Sequence, residues 1–173
     1  EFNIHLNYED FYSEYTKSRL IITELLKPQG SCRSRLFAFD RLFRNYGIQK
    51  SYYSAHKYEE IYWKKFISEM KINTQACNFL KKCMDHRILV CAVTDMQARI
   101  QIQKLKALGV VDYVNFIATS EEAGAEKPNK KIFNLALQKM NLNKKDVVMI
   151  GDNLTKDING AKTFGIEAVH FKA

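Results

Sequence analysis

The sequence predicts an α/β protein in which a doubly wound parallel sheet follows a helical subdomain. Before about residue 87, apolar side chains recur at three- and four-residue steps, which is the spacing of helices. After it, short apolar runs alternate four times with helical stretches, as in parallel strands joined by crossover helices. A chain of 173 residues is long enough for one such core and a small accessory domain.

The first part of the chain contains four helical stretches, and aromatic residues are frequent on their apolar faces. They are predicted over residues 8–26, 36–46, 55–70 and 74–84. Gly47 ends the second stretch, and the segment from Lys27 to Ser31, with Pro28 and Gly30, is a loop between the first two. We assign residues 1–72 to a helical domain and residues 73–173 to the α/β core.

The core is predicted to contain four strands and three helices. The strands are residues 88–93, 114–118, 147–150 and 168–171, and the helices are residues 98–108, 128–140 and 156–164. The first run has six consecutive apolar residues rich in branched side chains, which predicts a strand buried on both faces. Gly109 and Gly165 follow the first and third helices and end them.

Composition excludes several classes of protein. Seven glycines and two prolines are too few for a collagen-like or linker-rich chain, and a hydrophobic content of 46% is ample for a packed core. The net charge of +8 is spread along the chain, so solvated lysines explain it better than a nucleic-acid site does. No apolar run is long enough to span a bilayer.

Localisation is predicted from two further observations. The first twenty residues lack the basic and apolar regions of an export signal. The four cysteines show neither C-x-x-C pairs nor zinc-finger spacing, which favours reduced thiols: Cys32, Cys77, Cys83 and Cys91. We therefore expect a cytoplasmic protein with no membrane partner; the sequence does not specify an oligomeric state.

Polar residues follow the predicted strands at the edge where ligands bind in open parallel sheets. Thr94 and Asp95 end the first strand, Asp152 follows the third, and Asp157 begins the next helix. Asp152 and Asp157 are close enough across a Gly151 turn to face one Mg²⁺ ion, and the Thr94 hydroxyl suits a phosphate. Lys127 lies before a proline at a helix start. Each also has an ordinary interpretation, as a turn residue, a helix-dipole carboxylate or a solvated lysine.

The three segments together are more specific than any one of them. Val-Thr-Asp after an apolar strand, Glu-Lys-Pro before a helix, and Met-Ile-Gly-Asp-Asn-Leu-Thr-Lys-Asp-Ile-Asn-Gly-Ala near the end resemble the haloacid dehalogenase superfamily in order and spacing. The segment from Thr119 to Phe133 is similar to members that have a helical cap. By motif the resemblance covers residues 87–173, and the helical first part is similar to the cap only in kind.

The resemblance implies a Mg²⁺-dependent phosphatase of small phosphorylated substrates with a Rossmann-like core. Thr94 and Asp95 would bind the phosphoryl group, Lys127 would neutralise it, and Asp152 and Asp157 would hold Mg²⁺. Asn153 would support the same loop, and the helical cap would close over the site and select the leaving group.

One part of the family's pattern is absent from this sequence. The family forms an aspartyl-phosphate on an Asp-x-Asp motif, which occurs nowhere in the chain. Asp40 follows an apolar run, but helical spacing continues through Tyr46 and Leu42 stands where the second aspartate would be. The family's nucleophile strand lies between the strands ending at Val93 and Ile150. We therefore expect a segment before Glu1, or one supplied otherwise, to provide that strand.

Other functions remain open at this point. The chain could be a non-catalytic binding or regulatory module of the same fold, although four retained site residues favour catalysis. A basic nucleic-acid-binding domain is a weaker alternative. Dehalogenase chemistry is disfavoured, because it does not need the paired metal carboxylates. Phosphomutase activity remains open. The aromatic residues of the helical part, among them Tyr52, Tyr53, Tyr58, Tyr62 and Trp63, are expected to be core rather than a ligand platform.

Overall fold

The computed structural model describes residues 6–171 and divides into two compact units. The helical unit comprises the chain up to Lys27 together with Ser31–Met70. The α/β unit comprises Pro28–Gly30 and the chain from Lys71 onward. The predicted boundary after residue 72 falls in the same connection as this division.

The helical unit contains three long helices, and capping side chains mark the starts of the first two. The helices are α1 (Tyr8–Leu26), α2 (Arg35–Asn45) and α3 (Ser51–Ser68). The Asn7 side chain accepts a hydrogen bond from the Asp10 amide, and the Ser34 hydroxyl accepts one from the Phe37 amide. Asp40 lies within α2, where it accepts from the Ser51 hydroxyl at 2.6 Å, so its predicted helical placement is confirmed.

Aromatic side chains fill the core of the helical unit. The Tyr15 and Phe39 rings stack with their centroids 4.8 Å apart, and Phe43 meets the Tyr58 ring edge-on at 4.9 Å. Burial in this apolar surrounding raises the pKa of Tyr15 to about 12. Of the residues expected to be core, Trp63 is buried, whereas Tyr52 and Tyr53 are exposed, so the prediction was wrong for those two.

The α/β unit alternates helices and strands in the predicted order. Its elements are α4 (Thr74–Asp85), β1 (Cys91–Thr94), α5 (Ala98–Ala107), β2 (Phe116–Thr119), α6 (Ser120–Ala123), α7 (Lys130–Met140), β3 (Val148–Gly151), a π-helical turn (Leu154–Asn159), α8 (Gly160–Phe164) and β4 (Glu167–His170). The predicted α/β class with a helical domain is confirmed.

The four strands form two separate parallel pairs. β1 pairs with β2, with Cys91 opposite Phe116, and β3 pairs with β4, with Val148 opposite Glu167. Within residues 6–171, no strand pairs with the remaining edge of β1 or of β3. The predicted single sheet is therefore divided at the position expected for the missing strand, between the strands that end near Val93 and Ile150.

Helix α7 and both strand pairs contribute to one apolar cluster. Ile132, Phe133 and Leu137 of this helix are buried in it. Val93 of β1 and Met149 of β3 pack against the same cluster. β1 and β3 are thus connected through this cluster although the two strands share no hydrogen bonds.

Several element boundaries differ from the prediction. The first strand begins at Cys91, not at residue 88, because Arg87 takes a left-handed backbone conformation and the Asn115 side chain accepts from the Val90 amide. Ile88 and Leu89 are exposed, and β1 is half-buried rather than buried on both faces. The residues of β1 pair with β2 on one side, and no strand within residues 6–171 pairs with their other side. A strand with one neighbour need not be buried on both faces.

The other differences lie near the turns that precede helices. The helix predicted from Pro128 begins at Lys130, since the Asn129 side chain caps it by accepting from the Lys131 amide. The helix predicted over residues 156–164 is the π-helical turn followed by α8.

The loop between α1 and α2 belongs to the α/β unit by its contacts. The Glu126 amide donates to the Pro28 carbonyl at 3.1 Å. Gly30 lies against the backbone of Ser120 and Glu121, where an added Cβ would come within 2.4 Å of the Glu121 amide nitrogen. Only glycine fits that approach.

Among the helices in residues 6–171, none combines the length and the apolar character that crossing a bilayer requires.

Candidate active site

The polar residues predicted from the sequence lie at the carboxyl ends of β1 and β3. Thr94 is the last residue of β1 and Asp95 follows it, while Gly151 ends β3 and Asp152 follows. Lys127 is in the segment that leads into α7, the helix that shares an apolar cluster with both strands. This is the edge of an open parallel sheet at which ligands bind.

The Lys127 side chain connects the two strand ends. Its ammonium donates to the Val93 carbonyl at 2.9 Å and forms an ion pair with Asp157 Oδ1 at 2.7 Å. The two side chains are only 12% and 6% exposed. The structure therefore holds a buried positive charge between β1 and the turn after β3, which is an arrangement able to neutralise an anion there.

Asp157 approaches the end of β3 because residue 151 is glycine. A Cβ at Gly151 would lie 2.5 Å from Asp157 Cβ and Oδ2, a distance that no real packing allows. Asp157 Oδ2 also accepts from the Asn153 amide at 3.1 Å. The Asn153 side chain in turn accepts from the Lys156 amide at 2.8 Å, so Asn153 caps the π-helical turn. Such turns are frequent at functional sites.

Asp152 lies next to this turn with an exposed side chain. Its backbone carbonyl accepts a hydrogen bond from His170 Nε2, at 3.1 Å. This bond joins the ends of β3 and β4. Asp152 therefore offers a solvent-facing carboxylate at the strand end, while Asp157 offers a buried one.

The Thr94 hydroxyl is held by local hydrogen bonds. It donates to Gln101 Oε1 at 3.1 Å and accepts from the Met96 amide at 3.2 Å. A phosphate oxygen bound by this hydroxyl would take the place of the Gln101 acceptor. Because Thr94 is the last residue of β1, its hydroxyl lies where a phosphate oxygen would replace Gln101 as the acceptor.

The Asp95 carboxylate bonds to protein cations and amides. Its Oδ1 accepts from the Lys127 amide at 2.9 Å, and its Oδ2 accepts from the Lys156 ammonium at 2.7 Å. Lys156 also pairs with Glu126 at 3.0 Å. The predicted phosphate-binding role of Asp95 thus rests on its backbone amide, since both carboxylate oxygens are engaged.

Sequence reasoning missed Lys156 and Glu126. Burial lowers the pKa of Lys156, but its bonds to Asp95 and Glu126 outweigh burial and raise the pKa overall. Each residue stands directly beside a predicted site residue, Lys156 before Asp157 and Glu126 before Lys127. That adjacency was the available signal, but nothing in the sequence pairs the two residues.

The carboxylates at the end of β3 fit a Mg²⁺ site. In the part of the chain that the structure describes, no three His, Cys, Asp or Glu residues group closely enough to hold a metal by themselves. Mg²⁺, however, is usually held by one or two carboxylates with waters and substrate phosphate. Asp152 offers an exposed carboxylate that can bind such an ion directly. Asp157 lies in the same turn with its oxygens on the Lys127 ammonium and the Asn153 amide, so contact with the ion through a water would leave those bonds in place.

Comparison with known proteins identifies the family. The sequence model described as haloacid dehalogenase-like hydrolase matches residues 36–171. The chain therefore belongs to this family, and the resemblance drawn from its motifs is confirmed.

Similar sequences include several phosphatases. A ribulose-1,5-bisphosphate 5-phosphatase from Halopiger xanaduensis is 36% identical over 112 residues, 65% of this chain and 47% of that protein. A glyceraldehyde 3-phosphate phosphatase from Methanopyrus kandleri is 29% identical over 167 residues, 96% of this chain and 68% of that protein. The chain thus spans about half of the first relative and two thirds of the second.

Solved structures share the fold. A 2-haloacid dehalogenase from Pseudomonas syringae pv. Tomato superposes with a TM-score of 0.76 at 19% identity, covering 93% of this chain and 70% of that one. A HAD-hydrolase from Bacillus subtilis, bound to magnesium, gives a TM-score of 0.68 at 20% identity, covering 98% and 75%. At these identities the likeness concerns the fold.

Proposed function

We propose that the protein is a phosphohydrolase that acts on small phosphate monoesters and uses Mg²⁺ held by Asp152 and Asp157. The observation that supports this most strongly is the Lys127 ammonium, buried between the Val93 carbonyl and Asp157. A fixed cation at the carboxyl ends of two parallel strands suits the charge on a transferring phosphoryl group. The substrate class follows the relatives, whose names specify phosphate esters of small sugars and trioses.

Each site residue has a proposed task that its position supports. Lys127 neutralises charge on the phosphoryl oxygens, and the Thr94 hydroxyl with the following Asp95 amide donates hydrogen bonds to them. Asn153 keeps the Asp157 carboxylate at the end of β3 through its amide. When bound, Mg²⁺ would supply positive charge toward the phosphate oxygens, held by Asp152 and Asp157.

We further propose that the nucleophile is an aspartate on a strand that pairs with the unpaired edges of β1 and β3. Two observations support this. Neither edge has a partner within residues 6–171, and α7 shares one apolar cluster with both strands. Such edges expose unpaired amides and carbonyls, which an added strand satisfies.

The chemistry of this proposal balances in two steps. An aspartate oxygen bonds to phosphorus while the bond to the substrate oxygen breaks, and a second aspartate protonates the leaving alcohol. Water then attacks the aspartyl-phosphate while the second aspartate takes up its proton, which releases inorganic phosphate and restores both aspartates to their starting forms. Lys127 and Thr94 face the phosphoryl group in both steps.

The test is hydrolysis of p-nitrophenyl phosphate by the full-length protein, with and without Mg²⁺. We expect activity that requires the metal and falls about 100-fold or more in Asp152→Asn. Asp112→Asn, which changes an exposed carboxylate in a short turn after α5, is the matched control and should keep full activity.

Two results would contradict the proposal. Hydrolysis that is indifferent to Mg²⁺ and to Asp152→Asn would exclude the assigned metal residues. A folded full-length protein that hydrolyses no phosphate ester would favour the alternative of a binding or regulatory module.

A further inference from the structure

Lys156 joins three segments of the α/β unit that are distant in sequence. Its ammonium contacts Asp95 Oδ2 at 2.7 Å, in the loop after β1, and Glu126 Oε2 at 3.0 Å, in the segment before α7. Lys156 itself lies in the π-helical turn after β3. The carboxylate side chains are 17% and 8% exposed, so water screens these pairs weakly.

The two oxygens of the Asp95 carboxylate bond to different lysines. One oxygen accepts from the Lys127 backbone amide and the other from the Lys156 ammonium. Lys156 therefore fixes the orientation of the group that holds the Lys127 backbone. The Lys127 ammonium, at the other end of the same residue, reaches Val93 and Asp157.

Lys156 also holds the second oxygen of the Asp95 carboxylate in place. Its ammonium contacts Asp95 Oδ2 at 2.7 Å, while Asp95 Oδ1 accepts from the Lys127 amide at 2.9 Å. Without Lys156, Asp95 Oδ2 would lose this ammonium, and the carboxylate would be able to turn away from the Lys127 amide.

We propose that Lys156 is a positioning residue that keeps Lys127 at the ends of β1 and β3 by engaging Asp95 and Glu126. The proposal rests on the proposed phosphohydrolase function for its effect on catalysis, but its geometric part does not. Lys156 does not touch the substrate; it acts through the Asp95 carboxylate that holds the Lys127 amide.

In the first experiment, NMR measures the hydrogen-exchange rate of the Lys127 backbone amide in the full-length protein. In Lys156→Met, the Asp95 carboxylate that accepts from the Lys127 amide is no longer held in place. We therefore expect the protection of this amide against hydrogen exchange to fall about tenfold or more. Lys156→Arg keeps a donor for both carboxylates and should retain most of the protection. Lys162→Met, an exposed lysine on α8, is the matched control and should leave residue 127 unchanged.

The second measurement is kinetic, with p-nitrophenyl phosphate and Mg²⁺. We expect Lys156→Met to lower kcat about 10- to 100-fold with a smaller change in KM, and Lys156→Arg to restore most of it. In an Asp95→Asn background the same Lys156→Met change should have a smaller effect, because the two residues act together.

Several outcomes would overturn the proposal. Protection of the Lys127 amide equal to wild type in Lys156→Met excludes the geometric role, and a loss of kcat that arginine does not restore excludes the positioning role. If Lys156→Met does not fold, Lys156→Gln against Lys156→Arg decides the same question. If the wild-type protein hydrolyses no phosphate ester, the proposed function fails, while the exchange data still decide whether Lys156 positions Lys127.

Discussion

An ion pair in the helical unit and one in the α/β unit differ in sequence separation and in exposure. In the helical unit Lys65 pairs with Glu69, one helical turn away, and the two side chains are 72% and 62% exposed. In the α/β unit Lys127 pairs with Asp157, from a distant segment, and the two side chains are 12% and 6% exposed. Buried pairs repay their desolvation poorly, so they are weak evidence for stability. The difference therefore supports the proposal that Lys127 and Asp157 serve the candidate site.

The two units also differ in how they satisfy the backbone. The helices of the helical unit bond most of their own amides and carbonyls, and the side chains that cap α1 and α2 lie within three positions of the amides they accept from. The strands of the α/β unit depend on partners far along the chain, and β1 and β3 each have one edge without a partner among the described residues. The helical unit is thus the more self-sufficient of the two.

The largest expected effect tests the contrast between the ion pairs. Lys127→Met removes one partner of a buried pair and leaves the Asp157 charge uncompensated, which should cost about 3–5 kcal/mol of unfolding free energy. Lys65→Met breaks an exposed pair and should cost less than about 1 kcal/mol. Urea denaturation of both variants measures the difference; equal losses would refute the contrast.

A similar loss is expected in the helical unit from its aromatic core. Phe43→Ala removes a side chain that is 1% exposed and should cost about 3–5 kcal/mol. Phe37→Ala, on the same helix but 41% exposed, should cost less than about 1 kcal/mol. The single tryptophan, Trp63, lies in this unit, so its fluorescence during urea denaturation reports on the relevant transition. A Phe43→Ala midpoint equal to that of Phe37→Ala would contradict this packing.

A smaller effect distinguishes two glycines. Gly151→Ala places a Cβ against the Asp157 carboxylate and should cost about 1–3 kcal/mol through overpacking, with loss of phosphatase activity. Gly47, in the helical unit, has open space around it but a backbone φ of +67°, so Gly47→Ala should cost about 1 kcal/mol through backbone strain without affecting activity. Full activity in Gly151→Ala would show that Asp157 need not lie where it does.

The smallest expected effect is on the alkylation rate of a thiol. It tests how burial changes the pKa of a side chain in the α/β unit, as it does in the helical unit. Burial raises the pKa of Cys91, in β1, to about 11, as it raises that of Tyr15 in the helical unit to about 12. Because the thiolate is the reactive form, Cys91 should be alkylated slowly at pH 8, and its rate should rise about tenfold per pH unit from 8 to 10. Iodoacetamide labelling followed by mass spectrometry checks this. A plateau below pH 10 would contradict the raised pKa.

Much of the fold could be predicted from local signals. Helical spacing of apolar residues located α1, α2 and α4 to within a few residues, because that signal acts inside one helix. The start of β1 was predicted too early, since the extent of a strand depends on its neighbours rather than on its own apolar residues. Residues 88 and 89 are apolar, yet both are exposed, and no strand within residues 6–171 pairs with them.

The candidate site was predictable where chemistry and chain position coincide. Lys127, Asp95 and Asp157 do meet, as their places at strand ends suggested. Lys156 and Glu126 were not foreseen, because their pairing depends on the path of the turn after β3. The functional roles of all the predicted site residues stay predictions: Thr94, Asp95, Lys127, Asp152, Asn153 and Asp157.

The pairing of β1 with β2 and of β3 with β4 bears on the order of folding. Each pair is joined by its own helical connection, through α5 or through α8, so each closes only a short loop of chain. Short loops close at a smaller entropic cost than long ones. The two strand–helix–strand modules are therefore expected to form early and separately, with the docking of α7 as the later step that brings them together. A late-formed contact of this kind would be visible as low φ-values at Phe133 and Ile132 beside higher ones within each module.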